Sequence, residues 1–341
     1  MTAREGERPQ VTARATVEDV ARLAGVSTKT VSRVISGGPH VSPSTRAKVQ
    51  EAAATLRFRA NSVARELRSG GVSSTVAFVI GDLTNPFFAA VAAGVERTIA
   101  RSGLTLVIAA TDDESRQEPA VVAAMLERRV RALLLVPIAE DHAYLDGERQ
   151  LGTPIVAVDR PLSTASSDSV VFDNHGGAMA GTLALLDAGH RRIGFVGSTS
   201  RLSTHRERRS GFLDAFAARG LTADPDLVRT DAPDVAAAEA ATRGLLSGAR
   251  PPTAIFAGNN RATIGALTAI RRNATTTGLI GFDDVELADA LGLSVVAHDP
   301  ELMGETAARL ALDRLDDPGR ALEQVVLPTR LVLRGSERSV R

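Results

Sequence analysis

The sequence predicts a small all-α headpiece with a helix-turn-helix, followed by a larger α/β body that contains two parallel sheets. Residues 16–36 carry two short helical patterns around a glycine. From Ser74 to about Gly281, short apolar runs alternate with amphipathic helical stretches, which is typical of parallel strands covered by helices on both faces. The chain has 341 residues, enough for two or three domains of roughly 100 to 200 residues each.

Residues 1–15 precede the first helix and are polar, with no periodic apolar pattern. They are predicted to form a disordered arm. This segment lacks the apolar core of a signal peptide, and no later apolar run reaches the roughly 20 residues that cross a bilayer. The chain has no cysteine, which fits a reducing compartment. We therefore expect a soluble cytoplasmic protein that does not bind a membrane.

The first two helices are predicted from their caps and their apolar spacing. Thr16 and Asp19 have the spacing of a capping box, Gly25 supplies the turn, and Ser27 can cap the second helix. With the valines of the second helix turned inward, its outward face carries Thr28, Lys29, Ser32 and Arg33. Such a face suits base edges in the major groove of DNA, although the spacing alone also allows a helical hairpin with a solvated face.

A third helix is predicted to begin at Ser42 and Pro43, and a shorter one to begin at Asn61 and end at Gly70. Residues 16–67 closely resemble the DNA-binding headpiece and hinge helix of the LacI/GalR family of bacterial transcription regulators. The matching residues are DVA at 19–21, AGVS at 24–27, TVSRV at 30–34, VS at 41–42, TR at 45–46 and N-x-VA-x-x-L at 61–67. The resemblance implies a headpiece at residues 16–60, a hinge at 61–71, and an effector-binding and dimerisation domain at 72–341.

The formal net charge of the chain is zero, but the charges are unevenly distributed. Residues 1–70 contain 12 Lys and Arg against 6 Asp and Glu, whereas the remaining residues contain 28 against 34. The positive headpiece is predicted to attract the phosphates of DNA, and the acidic remainder to be repelled by them.

The resemblance assigns roles at double-stranded DNA to individual residues. It implies contacts with base edges in the major groove, where lysine and arginine can reach guanine acceptors. The residues implied to make these contacts are Thr28, Lys29, Ser32 and Arg33. Phosphates are implied to be held by His40, Ser42, Thr45 and Arg46. The other positions implied to lie at DNA are Thr16, Ser27, Thr30, Asn61, Ala64 and Leu67.

Leu67 lies on an apolar stripe of the hinge, which by itself could be ordinary core. In the family, two hinge helices pair across a dimer, and this leucine enters the minor groove as an apolar wedge. The resemblance therefore implies a homodimer that binds a pseudo-palindromic operator.

Seven strands are predicted in the body, each from a short apolar run. They are residues 75–80, 104–109, 132–136, 154–158, 192–197, 253–258 and 277–282. The resemblance implies that they form the two lobes of a periplasmic-binding-protein-like effector domain, with three chain crossings between lobes. On this basis lobe one is about residues 72–162 with 294–320, and lobe two is about residues 163–293 with 321–341.

Ligands of open α/β sheets bind beyond the carboxyl ends of the strands, and polar side chains follow several of the predicted strands. The resemblance selects the residues that match NPFF, DR, R-x-x-GF, N-x-x-x-x-x-GAL and GFDD of the family as effector contacts. These are Asn85, Phe87, Asp159, Arg160, Arg208, Asn259 and Asp283. A helix cap or a solvated loop is the preferred interpretation for Asp173, Asn174, Asn260 and Asp284.

The expected effector is a sugar or a sugar derivative. Carboxylates, amides and arginine can hydrogen-bond neighbouring hydroxyls, and with no tryptophan and one tyrosine the chain is less suited to stacking on a flat purine. A purine or another corepressor remains the alternative. Most members of the family that the chain resembles are repressors released by a sugar, and we expect the same behaviour here.

No catalytic site, metal site or cofactor is predicted. The six histidines lack the paired spacing of a metal site, and GFVGSTS at 194–200 differs from the G-x-S-x-G turn of a hydrolase. A solute-binding receptor with the same two lobes and a sugar-converting enzyme are the alternatives. The headpiece argues against the receptor, and the missing acid/base pair argues against the enzyme.

Overall fold

The computed structural model describes residues 15–35, 38–58, 73–163, 167–273 and 276–339. The predicted arm apart from Ala15, and the hinge positions Asn61, Ala64 and Leu67, lie outside the described residues. The chain divides into two compact units, Met1–Ser73 and Ser74–Arg341. Of the helices in the described ranges, none is both long and apolar enough to cross a membrane.

The first unit contains the predicted helix-turn-helix. Its helices are α1 (Val17–Ala24), α2 (Thr28–Ile35) and α3 (Pro43–Thr55). The capping box is present, because the Asp19 N–H donates to Thr16 Oγ1 at 3.2 Å and the Thr16 N–H donates to the Asp19 carboxylate at 3.0 Å. Gly25 ends α1 with φ at 65°, in the left-handed region that favours glycine. The buried core of this unit consists of Val20, Ala21, Val31, Val34, Val49 and Ala52.

The second unit contains two sheets, each of six strands within the described residues. The strands are β1 (Thr75–Ile80), β2 (Thr105–Ala110), β3 (Ala132–Leu135), β4 (Ile155–Val158), β5 (Asp168–Phe172), β6 (Ile193–Val196), β7 (Val228–Arg229), β8 (Ala254–Ala257), β9 (Gly278–Phe282), β10 (Ser294–Ala297), β11 (Gln324–Leu327) and β12 (Arg330–Val332). The helices are α4 (Pro86–Ala100), α5 (Glu118–Leu126), α6 (Asp146–Gln150), α7 (Asn174–Asp187), α8 (Ser203–Ala218), α9 (Val235–Leu246), α10 (Asn260–Arg272) and α11 (Pro300–Asp316).

Each sheet is the centre of one lobe. The strand order is β11-β5-β4-β3-β1-β2 in lobe one and β12-β10-β9-β8-β6-β7 in lobe two. Paired strands are parallel, except that β12 runs antiparallel to β10. Alternate residues of β1 face opposite sides, so that Phe78 packs with α4 and α11 while Val79 packs with α5. Helices therefore cover both faces of the sheet, and the predicted two-lobed parallel architecture is confirmed.

The lobe boundaries expected from the sequence are wrong by one strand at each crossing. β5 pairs with β4 and β11 and therefore belongs to lobe one, not to lobe two. β10 pairs with β9 in lobe two rather than in lobe one, and β11 lies in lobe one rather than in lobe two. The expectation placed each crossing too early, because it ended lobe one at the polar loop after β4 although the next apolar run extends the same sheet.

Candidate functional site

The cleft between the lobes lies where the carboxyl ends of the strands bring polar loops together. The strand order reverses between β1 and β3 in lobe one and between β6 and β8 in lobe two, and ligands of open sheets bind at such reversals. Asn85 follows β1, and Asn259 and Asn260 follow β8. Asn260 Nδ2 donates to Asn85 Oδ1 at 2.8 Å, so that these two loops meet across the cleft.

Aspartates in the left-handed backbone region follow four of the strands. The φ angles are 52° and 57° for Asp112 and Asp113 after β2, 70° for Asp159 after β4, 62° for Asp231 after β7, and 75° for Asp283 after β9. A residue with a Cβ is strained there, and aspartate tolerates the strain because its short side chain can hydrogen-bond locally. Strained backbone of this kind is typical of binding sites.

Arg208 and Asp283 form the charged centre of the cleft in lobe two. Arg208 lies on α8 and is only 7% exposed. Its Nε donates to Asn174 Oδ1 at 2.8 Å, and its Nη1 donates to the Gly258 carbonyl at 2.8 Å. Its guanidinium carbon lies 3.7 Å from the centre of the Phe282 ring. The Asp283 carboxylate lies 3.8 Å from Arg208 Nη1, so a guanidinium held by fixed partners faces a carboxylate.

The neighbours of Asp283 keep its side chain ionised. The carboxylate accepts a hydrogen bond from the Asn260 N–H at 2.9 Å and is hydrogen-bonded to His298 Nε2 at 2.7 Å. Burial raises the pKa of Asp283, but the charge of Arg208 and the hydrogen bond with His298 outweigh burial and lower the pKa to about 2. At neutral pH this carboxylate can therefore accept hydrogen bonds from the hydroxyls of a ligand.

Asp159 and Arg160 form a second buried pair, in lobe one. Arg160 Nε and Nη2 donate to Asp159 Oδ2 at 3.1 Å and 2.9 Å. The charges of both Asp159 and Arg160 act on the half-exposed carboxylate of Asp113. Burial raises the pKa of Asp113, while Arg160 lowers it and Asp112 and Asp159 raise it. The loops after β2 and β4 thus contribute to one polar neighbourhood.

Aromatic rings form an apolar wall where the chain crosses between the lobes. Phe172 ends β5 in lobe one, His298 follows β10 in lobe two, and their rings stack with centroids 4.1 Å apart. The ring of Phe87 meets the edges of both, at 6.4 Å from Phe172 and 5.6 Å from His298. Since His298 also binds Asp283, this wall adjoins the charged centre of lobe two.

The headpiece carries an exposed polar face on α2. Thr28, Lys29 and Arg33 are exposed, and Ser32 is half-buried. His40 is exposed as well, with φ at 64°. These side chains are therefore accessible to a partner that approaches α2.

Other predicted DNA contacts already serve the fold of the headpiece. Ser27 Oγ accepts from the Thr30 N–H at 3.2 Å, and Ser42 Oγ accepts from the Thr45 N–H at 3.2 Å, which caps α2 and α3. Arg46 Nη2 donates to the Gly38 carbonyl at 3.2 Å. Caps of this kind contribute about 1 kcal/mol each, so these side chains have a structural role whether or not they touch phosphates.

Comparison with known proteins places both parts in one family. Residues 16–61 match the family described as bacterial regulatory proteins, lacI family, and residues 182–337 match the periplasmic binding protein-like domain. The ribose operon repressor of Haemophilus influenzae is 30% identical over 96% of this chain and 100% of its own length. The chain belongs to the LacI family of bacterial regulatory proteins.

Two further LacI-family proteins show the same correspondence over nearly the whole chain. The transcriptional regulator GalR of Escherichia coli is 33% identical over 92% of this chain and 94% of its own length. A solved complex of the transcriptional regulator CelR with cellobiose is 30% identical, with a TM-score of 0.69, and the match covers 95% of this chain and 100% of that one. This LacI-family protein is therefore a DNA-binding transcription regulator with a two-lobed domain. The three relatives named above are regulators rather than enzymes.

The loop interpretations made from the sequence hold at two positions and are wrong at two. Asp173 caps α7 by accepting from the Gly176 N–H at 2.8 Å, and Asp284 lies on the surface. Asn174 is buried and holds Arg208, and Asn260 contacts Asn85 across the cleft. Neither of these two asparagines is a solvated loop residue, because each is covered by an element far away in the chain.

Asn259 is predicted from the sequence to contact the effector, and in the structure it is also a helix cap. Its Oδ1 accepts from the Ala262 N–H at 2.7 Å and caps α10. The oxygen is thereby occupied, which leaves the amide nitrogen of this side chain for an effector.

Sequence reasoning missed two residues of the cleft. His298 follows β10, a strand that was not predicted, and recognition of that strand would have drawn attention to it. Arg261, in the first turn of α10, forms an ion pair with Asp82 of lobe one and lies 3.7 Å from Asp113. No short motif indicates such a pair, because its partners are separated by 179 residues.

Proposed function

We propose that this LacI-family regulator is a repressor that binds a sugar or a sugar derivative in the cleft between its lobes. The observation that carries the proposal is the pair of buried Arg208 and half-buried Asp283 at the cleft. An ionised carboxylate accepts hydrogen bonds and a fixed guanidinium donates them, so the pair can bind adjacent hydroxyls of one ring. The names of a ribose operon repressor and of the CelR complex with cellobiose support this class of effector.

The other predicted effector contacts fit a polyol in the same place. In this proposal Phe87 packs against the apolar face of the sugar ring, and Asn85 and the Asn259 amide bind its hydroxyls. The buried pair of Asp159 and Arg160 supplies an acceptor and donors from lobe one. Binding then engages both lobes, which lets the effector alter how they are arranged.

We also propose how the headpiece contacts its operator. Base edges in the major groove are contacted by Thr28, Lys29, Ser32 and Arg33, and phosphates are held by His40, Ser42, Thr45 and Arg46. The other described positions that we place at the DNA are Thr16, Ser27 and Thr30. Asn61, Ala64 and Leu67 lie outside the described residues, and their role in the minor groove rests on the family resemblance alone. A homodimer on a pseudo-palindromic operator follows from the same resemblance.

The test begins with selection of genomic DNA fragments by the purified full-length protein at a stated salt concentration. We expect a pseudo-palindrome, and a sugar related to the neighbouring genes should weaken operator binding in a fluorescence anisotropy titration. Arg208→Ala should abolish the response to the sugar and leave operator affinity within about twofold, because the headpiece is a separate compact unit. A purine base that strengthens operator binding, or an unchanged sugar response in Arg208→Ala, would contradict the proposal.

The hinge is tested by Leu67→Ala in the same titrations. A wedge in the minor groove is lost with the side chain, so operator affinity should fall by about tenfold or more while sugar affinity stays the same. Loss of both affinities would show instead that Leu67 supports folding.

A further inference from the structure

A cavity of about 560 Å³ lies in lobe two beside α8 and the edge strand β7. Its lining includes the polar side chains of His205, Arg206 and Arg209. Apolar side chains, among them Leu213, Pro225 and Val228, line it as well. None of the described residues that line the cavity is acidic. The lining thus combines two positive charges with an apolar patch.

The cavity uses a different face of α8 from the cleft. His205, Arg209 and Leu213 follow one another at intervals of four residues, which puts them on one side of a helix. Arg208 instead donates to Asn174 and to the Gly258 carbonyl. The arginines of the cavity are therefore separate from the charged centre that we assign to the sugar.

His205 lines this cavity, and most of its side chain is buried. The residue is 5% exposed, and its Nε2 is buried without a hydrogen-bond partner among the described residues. Burial, together with the charges of Arg208, Arg209 and Arg206, lowers the pKa of His205 to about 4, and Asp231 opposes them. The ring is therefore neutral at pH 7 and carries one N–H donor.

The two arginines leave donors available to a ligand. Arg206 Nη1 donates to the carbonyls of Ser200 and Arg201 at 3.0 Å and 2.6 Å. These bonds fix the guanidinium at the mouth of the cavity and leave its other N–H groups for a partner. Arg209 is exposed and makes no hydrogen bond or ion pair with any residue that the structure describes.

We propose that this cavity binds a small organic anion that carries a phosphate monoester or carboxylate group next to a short apolar group. The anionic oxygens accept hydrogen bonds from Arg206 and Arg209, since guanidinium groups suit both phosphate and carboxylate. The apolar group packs against Leu213, Pro225 and Val228. The protein then has a second ligand site, distinct in position and in chemistry from the sugar cleft.

Isothermal titration calorimetry with the full-length protein tests the proposal. The probes are phenyl phosphate and benzoate, with benzyl alcohol as the neutral analogue. We expect at least one of the two anions to bind saturably, with one site per chain, and benzyl alcohol not to bind. Arg209→Gln should weaken the anion about tenfold, which is the usual effect of losing one charge-assisted hydrogen bond.

Arg128→Gln is the matched control, because it removes the same charge from an exposed position after α5 in lobe one. This variant should bind the anion as the wild type does. Arg206→Gln provides a second test at the cavity and should also weaken binding. The proposal is wrong if neither anion binds the wild type. It is equally wrong if Arg208→Ala abolishes binding while Arg206→Gln and Arg209→Gln leave it unchanged, because the anion would then occupy the cleft.

Discussion

The residues around the Asp283 carboxylate keep it ionised. The free energy of unfolding therefore depends on pH in the acidic range. The pKa of Asp283 is lowered from 3.8 to about 2 in the folded protein. Because the folded pKa is depressed, the contribution to stability is present above the unfolded pKa and is lost as the pH falls towards the folded one. Between about pH 5 and about pH 2.5, the free energy of unfolding should fall by roughly 1 to 2 kcal/mol more in the wild type than in Asp283→Asn. Urea unfolding at both pH values measures this difference, and parallel losses in the two proteins would contradict it.

Two substitutions of Ser42 separate its role as a helix cap from its proposed role at DNA. Aspartate caps a helix about as well as serine, but it places a negative charge where we propose a phosphate. Ser42→Asp should therefore keep thermal stability within about 0.5 kcal/mol and lower operator affinity by about tenfold or more. Ser42→Ala should instead lose about 1 kcal/mol in stability. Its operator affinity should fall less than that of Ser42→Asp, because no negative charge is added. Equal operator affinities for Ser42→Asp and the wild type would remove Ser42 from the phosphate contacts.

Residues that meet in the cleft could be predicted from the sequence where a short motif contains each of them. Arg208 and Asp283 stand in R-x-x-GF and GFDD, and the structure brings these two distant motifs together. The burial of Asn174 could not be predicted, because a residue beside a helix cap has the same local pattern whether it faces solvent or a second helix. Only the packing of α7 on α8 decides that it holds Arg208.

At the scale of elements, the crossing of α4 and α11 depends on two glycines. A Cβ built at Gly94 would lie 2.0 Å from the Glu301 carbonyl oxygen, and one at Gly304 would lie 2.0 Å from the Val91 carbonyl oxygen. Because these neighbours are backbone atoms, the helices would have to move apart. Gly94→Ala should therefore lower the free energy of unfolding by about 1 to 3 kcal/mol, as measured by urea unfolding.

Gly244 gives the matched control for this prediction. It lies within α9, and a Cβ there would meet no atom within 4 Å. Alanine is the better helix former, so Gly244→Ala should raise stability by about 0.5 to 1 kcal/mol. If the two substitutions changed stability in the same direction, the close approach of α4 and α11 would not be the cause of the effect at Gly94.

All seven apolar runs predicted as strands are strands in the structure, with ends shifted by one residue at most. Five strands of the described residues were not among these predictions. β5 and β10 are buried strands inside the sheets, whereas β7 has two residues and β11 and β12 are partly exposed strands, all three at sheet edges. Edge strands face solvent on one side, so their apolar pattern is weak, and their place in the sheet comes from pairing with distant strands.

At the scale of the whole effector domain, the assignment of strands to lobes is the feature that local patterns could not supply. β5 and β10 both have apolar sequences that would suit either sheet. The pairing of β5 with β4 and of β10 with β9 decides which sheet each strand joins. This pairing requires three crossings between the lobes. The family resemblance indicated the number of crossings, whereas the pairing fixes their positions.

The two lobes are also joined directly across the cleft, and this predicts how the domain responds when the contact is removed. Arg261 of lobe two pairs with Asp82 of lobe one, and Asn260 hydrogen-bonds Asn85 beside it. These contacts hold the two lobes together in this arrangement without any effector. In Asp82→Asn, which loses the carboxylate charge, spin labels on the two lobes should report longer and broader distances by double electron–electron resonance.

The matched control for this change is Asp187→Asn, which breaks an ion pair with Arg219 that lies wholly within lobe two. It should leave the distances between the lobes unchanged, because no contact across the cleft is lost. Arg261→Gln should reproduce the effect of Asp82→Asn, and the double variant should open no further than either single one, since both remove the same interaction. If Asp82→Asn and Asp187→Asn gave the same distances as the wild type, the arrangement of the lobes would have to be held by the asparagine pair and the aromatic rings at the crossings instead.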